Sequence, residues 1–118
     1  MAKQFKTPTL PEITYTYLGL HKQRSREADY TRLQDHFIKV LTRTRSAEDI
    51  RAALALDTAR NLPVQMKSPA YERLLALEGR TSALLREYAQ EMYDFGPAFQ
   101  QYADQLWDEA KALDTDRD

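Results

Sequence analysis

Two histidines, His21 and His36, are the only imidazoles in this 118-residue chain, and no cysteine accompanies them. Transition-metal binding draws on clustered imidazole and thiolate ligands. The two histidines fall in different segments, with no His-Glu-x-x-His or Glu-x-x-His spacing between them. His36 stands beside Phe37, and its expected place is the flank of a helix. No metal or cofactor is expected on these residues. Carboxylates offer more material. Glu87 and Glu91 are one helical turn apart, as are Asp104 and Asp108, and four oxygen donors on neighbouring helices could hold a hard divalent ion. Solvated acidic faces, partnered by Arg80, Arg86 and Lys111, are the simpler expectation.

Asp57 is the most informative single acid. Its helical angle places it between Ile50 and Ala53, so it needs a hydrogen-bonding or charged partner. Arg60, three residues on, can supply one locally; a contact across a subunit interface is the functional alternative. Glycines at 19, 79 and 96 cannot build a phosphate-binding loop or a dinucleotide fingerprint, and no serine nucleophile elbow occurs. The chain therefore reads as non-enzymatic.

Charge is uneven along the chain. Residues 1–45 carry nine Lys/Arg against four acids, hence +5, while residues 46–118 carry eight against fourteen, hence -6. The basic residues Lys22, Arg24, Arg26, Arg32, Lys39, Arg43 and Arg45, with Tyr15, Tyr17 and Tyr30 among them, could contact phosphates and stack on bases. The same split could instead draw the two ends together, within one chain or between copies. A helix-turn-helix reading fails on its recognition helix, because Ala47, Glu48 and Asp49 would present acids to a phosphate groove.

These residues must be positioned by helices. Hydrophobic residues make up 42% of the chain, and only three glycines and five prolines occur, too few for a turn-rich β-architecture. The mean hydropathy of -0.68 suits thin helical layers that expose much of each helix. Tyr30, Leu33, Phe37, Val40 and Leu41 define a helix near 28–44. Ser46, with acids behind it, opens a second over 47–60. A third spans roughly 69–94 along Leu74, Leu77, Thr81, Leu84, Tyr88 and Met92. A fourth carries Phe99, Tyr102, Ala103, Leu106, Ala110 and Leu113. Gly96 and Pro97 end one helix and start the next, so the last two form an αα-hairpin.

Ahead of them, Ile13, Tyr15 and Tyr17 alternate with Thr14 and Thr16 in a strand-like period. Thr9, Pro11 and Glu12 carry helix-start signals instead. The expectation is an extended arm. The sequence thus predicts an all-α, four-helix bundle-like single domain. Residues 1–26 form the basic arm and connector, 27–113 the helical domain, and 114–118 a disordered acidic tail.

The second helix is apolar all round. Ile50 and Leu54 lie on one side, with Ala52, Leu56 and Ala59 on roughly the other, so it can face its own core and a partner together. Tyr93 and Trp107 sit at the margins of their stripes and are residue types that anchor interfaces. The expected interface is Ala52, Leu56, Asp57, Ala59, Tyr93 and Trp107. The resulting expectation is a protein–protein interaction module, a small regulator, adaptor or inhibitor that self-associates. A nucleic-acid-associated regulator using the basic third is the alternative. No apolar run follows Met-Ala-Lys-Gln-Phe-Lys and no membrane span is present, so the expected setting is the cytoplasm.

Overall fold

A computed structural model describes residues 9–23, 26–57 and 61–115, without the side chains of 21–23. Among these residues the protein is all-helical, with no strand. Six helices stand where four were expected: α1 (Leu10–Gln23), α2 (Glu27–Arg43), α3 (Ala47–Ala55), α4 (Val64–Glu78), α5 (Ser82–Asp94) and α6 (Pro97–Thr115). They divide into two compact units, residues 1–66 and 67–118.

In the first unit, α1 replaces the expected extended arm. Its buried residues Leu10, Ile13, Thr14 and Tyr17 repeat at three and four, the helical period. The Thr9 hydroxyl accepts from the Glu12 N–H at 3.4 Å and caps the first turn. The two threonines that imitate a strand are accommodated by bonding backward. The Thr14 hydroxyl donates to the Leu10 carbonyl at 2.8 Å and the Thr16 hydroxyl to that of Glu12 at 3.0 Å. Both α2 and α3 pack on α1. From α2 come Phe37 and Leu41, and from α3 Ile50 and Ala53, all buried. Tyr17 meets the Tyr30 ring edge-on at 5.4 Å and accepts from the Gln34 amide at 3.2 Å.

The start of α3 is as expected, with the Ser46 hydroxyl accepting from the Asp49 N–H. Its end is not, for the helix stops at Ala55 instead of near Arg60. Asp57 turns from helix residue to cap: its Oδ1 accepts from the backbone N–H groups of Asn61 at 2.6 Å and Leu62 at 3.2 Å. These donors open the next segment; Arg60, the expected partner of Asp57, lies outside the described residues. The following helix also starts earlier than expected. The Pro63 carbonyl accepts from the Met66 N–H, and α4 begins at Val64, leaving Pro69 inside it instead of at its first position.

In the second unit, the single helix expected over 69–94 breaks into α4 and α5. Gly79 takes a φ of +96°, where a side chain would be strained, and its N–H bonds the Leu75 carbonyl. Thr81, read in the sequence as part of an apolar stripe, caps α5 by accepting from the Leu84 N–H at 3.2 Å. A glycine that would weaken a continuous helix instead ends one.

The expected hairpin corner forms at Gly96, φ +122°, with Pro97 as the first residue of α6. Along it α5 packs on α6, burying Leu84, Leu85, Tyr88, Ala89 and Met92 against a face of Ala103, Leu106 and Ala110. The small residues on α6 let the two backbones approach while Tyr88 supplies bulk. Helix α6 runs two residues beyond its expected end because Asp114 is held. Its Oδ2 accepts from Arg86 at 2.7 Å and from the Ser82 hydroxyl at 2.9 Å. Residues 116–118 of the expected acidic tail lie outside the described residues, as do 1–8 of the basic arm.

Candidate interaction surfaces

The inner face of the α5–α6 hairpin carries a buried polar line. Tyr88 is 0% exposed, stacked on Tyr71 with centroids 5.1 Å apart, and edge-on to Tyr102 at 5.7 Å. Its hydroxyl lies 2.6 Å from that of Ser68 and 3.3 Å from that of Tyr102. Tyr102 donates its one proton to Glu72 at 2.7 Å. The remaining protons then have one consistent order: Ser68 donates to Tyr88, and Tyr88 to Tyr102. Burial pushes the Tyr88 phenol far above its ordinary range and raises that of Tyr102. These hydroxyls stay protonated and tie three helices together, a structural role.

Other charges near the hairpin are also consumed. Arg80 grips Glu109 through Nε and one terminal nitrogen, at 2.6 and 2.7 Å. This fork raises the Arg80 pKa and lowers that of Glu109, through the hydrogen bonds first and the charge second. Lys67 is buried and bonds Glu91 at 2.9 Å, its ammonium 5.7 Å from the centroid of the Phe95 ring. The four-carboxylate metal site therefore does not assemble, because Glu91 is committed to Lys67. No group of three or more His, Asp or Glu among the described residues is arranged to hold a metal ion.

What remains on the outer side of the hairpin is an aromatic pair and two acids. Tyr93 is 42% exposed and meets the half-buried Trp107 at 5.6 Å with rings tilted by 52°. Asp104 and Asp108 are exposed on α6 beside Trp107, with no ion pair among the described residues. Four carboxylates and a single cation, Lys111, occur on this helix. Since Glu109 and Asp114 are engaged, Asp104 and Asp108 carry its unneutralised charge.

In the first unit, α3 is two-sided as its sequence suggests. Ile50 and Ala53 are buried, whereas Ala52, Ala55 and Leu56 are exposed. Ala59 lies outside the described residues, and Asp57 is half-buried in its capping role. The expected interface set is thus shared between the units: Ala52, Leu56 and Asp57 in one, Tyr93 and Trp107 in the other. Tyr15, 73% exposed on α1, is an apolar surface residue that the interface expectation omitted. Its offset from the Leu10, Ile13, Tyr17 stripe would have shown this once the segment was read as helix.

The basic residues of α2 are brought into line. Arg32, His36, Lys39 and Arg43 advance by four, three and four positions, within about 60° of one helical face. Arg32 pairs with Asp29 at 3.3 Å, and Asp35 shares the groove that Arg32, His36 and Lys39 line. Toward the C-terminal end the acids stop. There His36, Lys39, Val40 and Arg43 line a groove of about 390 Å3, followed by exposed Arg45. Arg26 is exposed at the other end of α2. Of the remaining basic candidates, Arg24 and the Lys22 side chain lie outside the described residues.

No family model, no curated protein and no solved structure matches this chain. No described helix is long and apolar enough to cross a membrane.

Proposed function

We propose that this chain is a non-enzymatic, helical protein–protein interaction module that self-associates as a small regulator, adaptor or inhibitor. The Tyr93–Trp107 pair carries this reading. Here a tyrosine 42% exposed leans on a half-buried tryptophan, so two adjacent amphipathic rings meet at the surface. Such groups gain when a partner covers them, and they are the commonest anchors of interfaces. The exposed Ala52, Ala55 and Leu56 side of α3 offers a second, flatter surface where small residues permit close approach. A cysteine-free composition fits a reducing compartment, and we place the module in the cytoplasm.

The test is light scattering across micromolar concentrations. The wild-type mass is expected to rise above 13.7 kDa. Trp107→Ala is expected to weaken association about 30-fold, the effect of losing about 2 kcal/mol at an anchor, with its helical circular dichroism retained. A wild-type chain that stays at 13.7 kDa throughout removes the self-association reading.

Nucleic-acid binding is the second reading, favoured by the alignment of Arg32, Lys39 and Arg43 on one face of α2. It weakens where Asp29 and Asp35 intervene on the same helix. It requires that a labelled duplex at low salt give a fluorescence anisotropy rise, lost in Arg43→Glu/Arg45→Glu and falling steeply as salt increases. A flat titration at low salt removes it.

A further inference from the structure

We infer that the C-terminal groove of α2 docks the acidic–aromatic ridge of α6 from a second copy of this chain. The inference rests on the self-association reading and assigns its surfaces. Two independent features match. Lys39 and Arg43 stand one helical turn apart on an exposed face, and so do Asp104 and Asp108. Each pair therefore spans about 6 Å along its helix axis. Beside the cations Val40 supplies an apolar wall of the groove; beside the acids the half-buried Trp107 supplies an apolar surface. A groove of about 390 Å3 with cations at its edges suits an indole flanked by carboxylates.

Charge argues for this occupant over an uncharged one. From His36 through Ser46 the chain contains Lys39, Arg43 and Arg45 and no carboxylate. On α6, two of the four acids are neutralised within the unit, by Arg80 and Arg86, leaving Asp104 and Asp108 facing solvent. None of Lys39, Arg43, Asp104 and Asp108 has an ion pair among the described residues. The chain-wide split, +5 over residues 1–45 and -6 over the remainder, has the same sense as the two local patches. Exposed pairs contribute little singly and are screened at high salt. Trp107 must then supply affinity, while the four charges set register and salt dependence.

A charge exchange tests this. Lys39→Glu/Arg43→Glu and Asp104→Lys/Asp108→Lys alter exposed side chains only, and matching thermal melts confirm that both variants fold. At low ionic strength wild type is expected above 13.7 kDa by sedimentation equilibrium, returning toward 13.7 kDa in about 0.5 M salt. Each variant alone is expected to associate at least about 10-fold more weakly, because its own two surfaces now repel. Mixed in equal amounts they should regain wild-type association, since each reversed face finds an opposite one. Failure of the mixture to recover, or association indifferent to both reversals and to salt, overturns this docking while self-association stands. A wild-type monomer at low salt overturns both. Duplex binding lost in Lys39→Glu/Arg43→Glu, with self-association intact, gives the groove to nucleic acid and overturns the proposal.

Discussion

Tyr88→Ala is expected to cost about 3–5 kcal/mol of folding free energy, the range for deleting a fully buried aromatic. Domains of this size hold roughly 5–15 kcal/mol in total, so urea unfolding should shift far toward zero denaturant. The size of the loss follows from what the ring does. It is fully buried on α5, stacks on Tyr71, and meets Tyr102 edge-on. Tyr88→Phe separates the hydroxyl from the ring. It strands the Ser68 proton and removes the donor to Tyr102, for about 1–2 kcal/mol. The two variants also differ from wild type at high pH. Burial raises the folded Tyr88 pKa above the 10.0 of a free phenol. The stabilisation is full below pH 10 and declines as pH rises further, because the unfolded chain ionises while the folded one holds its proton. The slope approaches about 1.4 kcal/mol per pH unit for this group. Tyr88→Phe should flatten that alkaline decline, leaving the smaller part due to Tyr102. A loss under about 1 kcal/mol for Tyr88→Ala would place the ring outside the core.

The corner that joins α5 to α6 was plain in the sequence because Gly96 and Pro97 act through backbone geometry, which no tertiary contact has to supply. Residues 9–20 were not. Alternation of Ile and Tyr with Thr signals a strand only if the threonine hydroxyls lack helical partners. Thr14 and Thr16 find them four residues back, and a buried Leu10, Ile13, Tyr17 face then decides the matter. Gly79 was visible as a weak point but not as a break. What settles it is Thr81, whose hydroxyl caps the next helix while its methyl group imitates a member of an apolar stripe. At the candidate surfaces, Trp107 and Tyr93 could be found because they fall at the edges of otherwise regular stripes. Asp57 could be recognised as needing a partner, yet two of the donors it takes are backbone N–H groups, which a sequence does not mark. Lys67 was missed altogether. It reads as a loop charge, and the carboxylate and ring that bury it come from α5 and the corner, 24 and 28 positions later.

That buried lysine sets the second large effect, and its size is unequal between the partners. Lys67 is 5% exposed, whereas the Glu91 side chain keeps 27% of its surface in water. Removing the acid leaves an ammonium in a site with little solvent, held against the Phe95 ring but deprived of the carboxylate 2.9 Å away. Glu91→Ala should therefore cost about 3 kcal/mol, the scale for breaking a buried ion pair by removing one partner. Lys67→Met keeps most of the aliphatic volume and leaves behind an acid that water can still reach, so its cost should stay under about 1.5 kcal/mol. In the double variant Lys67→Met/Glu91→Ala no buried charge remains, and it should be more stable than Glu91→Ala alone. Chemical denaturation of these three chains gives the coupling directly. Equal losses from both single variants would mean that Lys67 is solvated in the folded protein and that the pair carries no more weight than a surface ion pair.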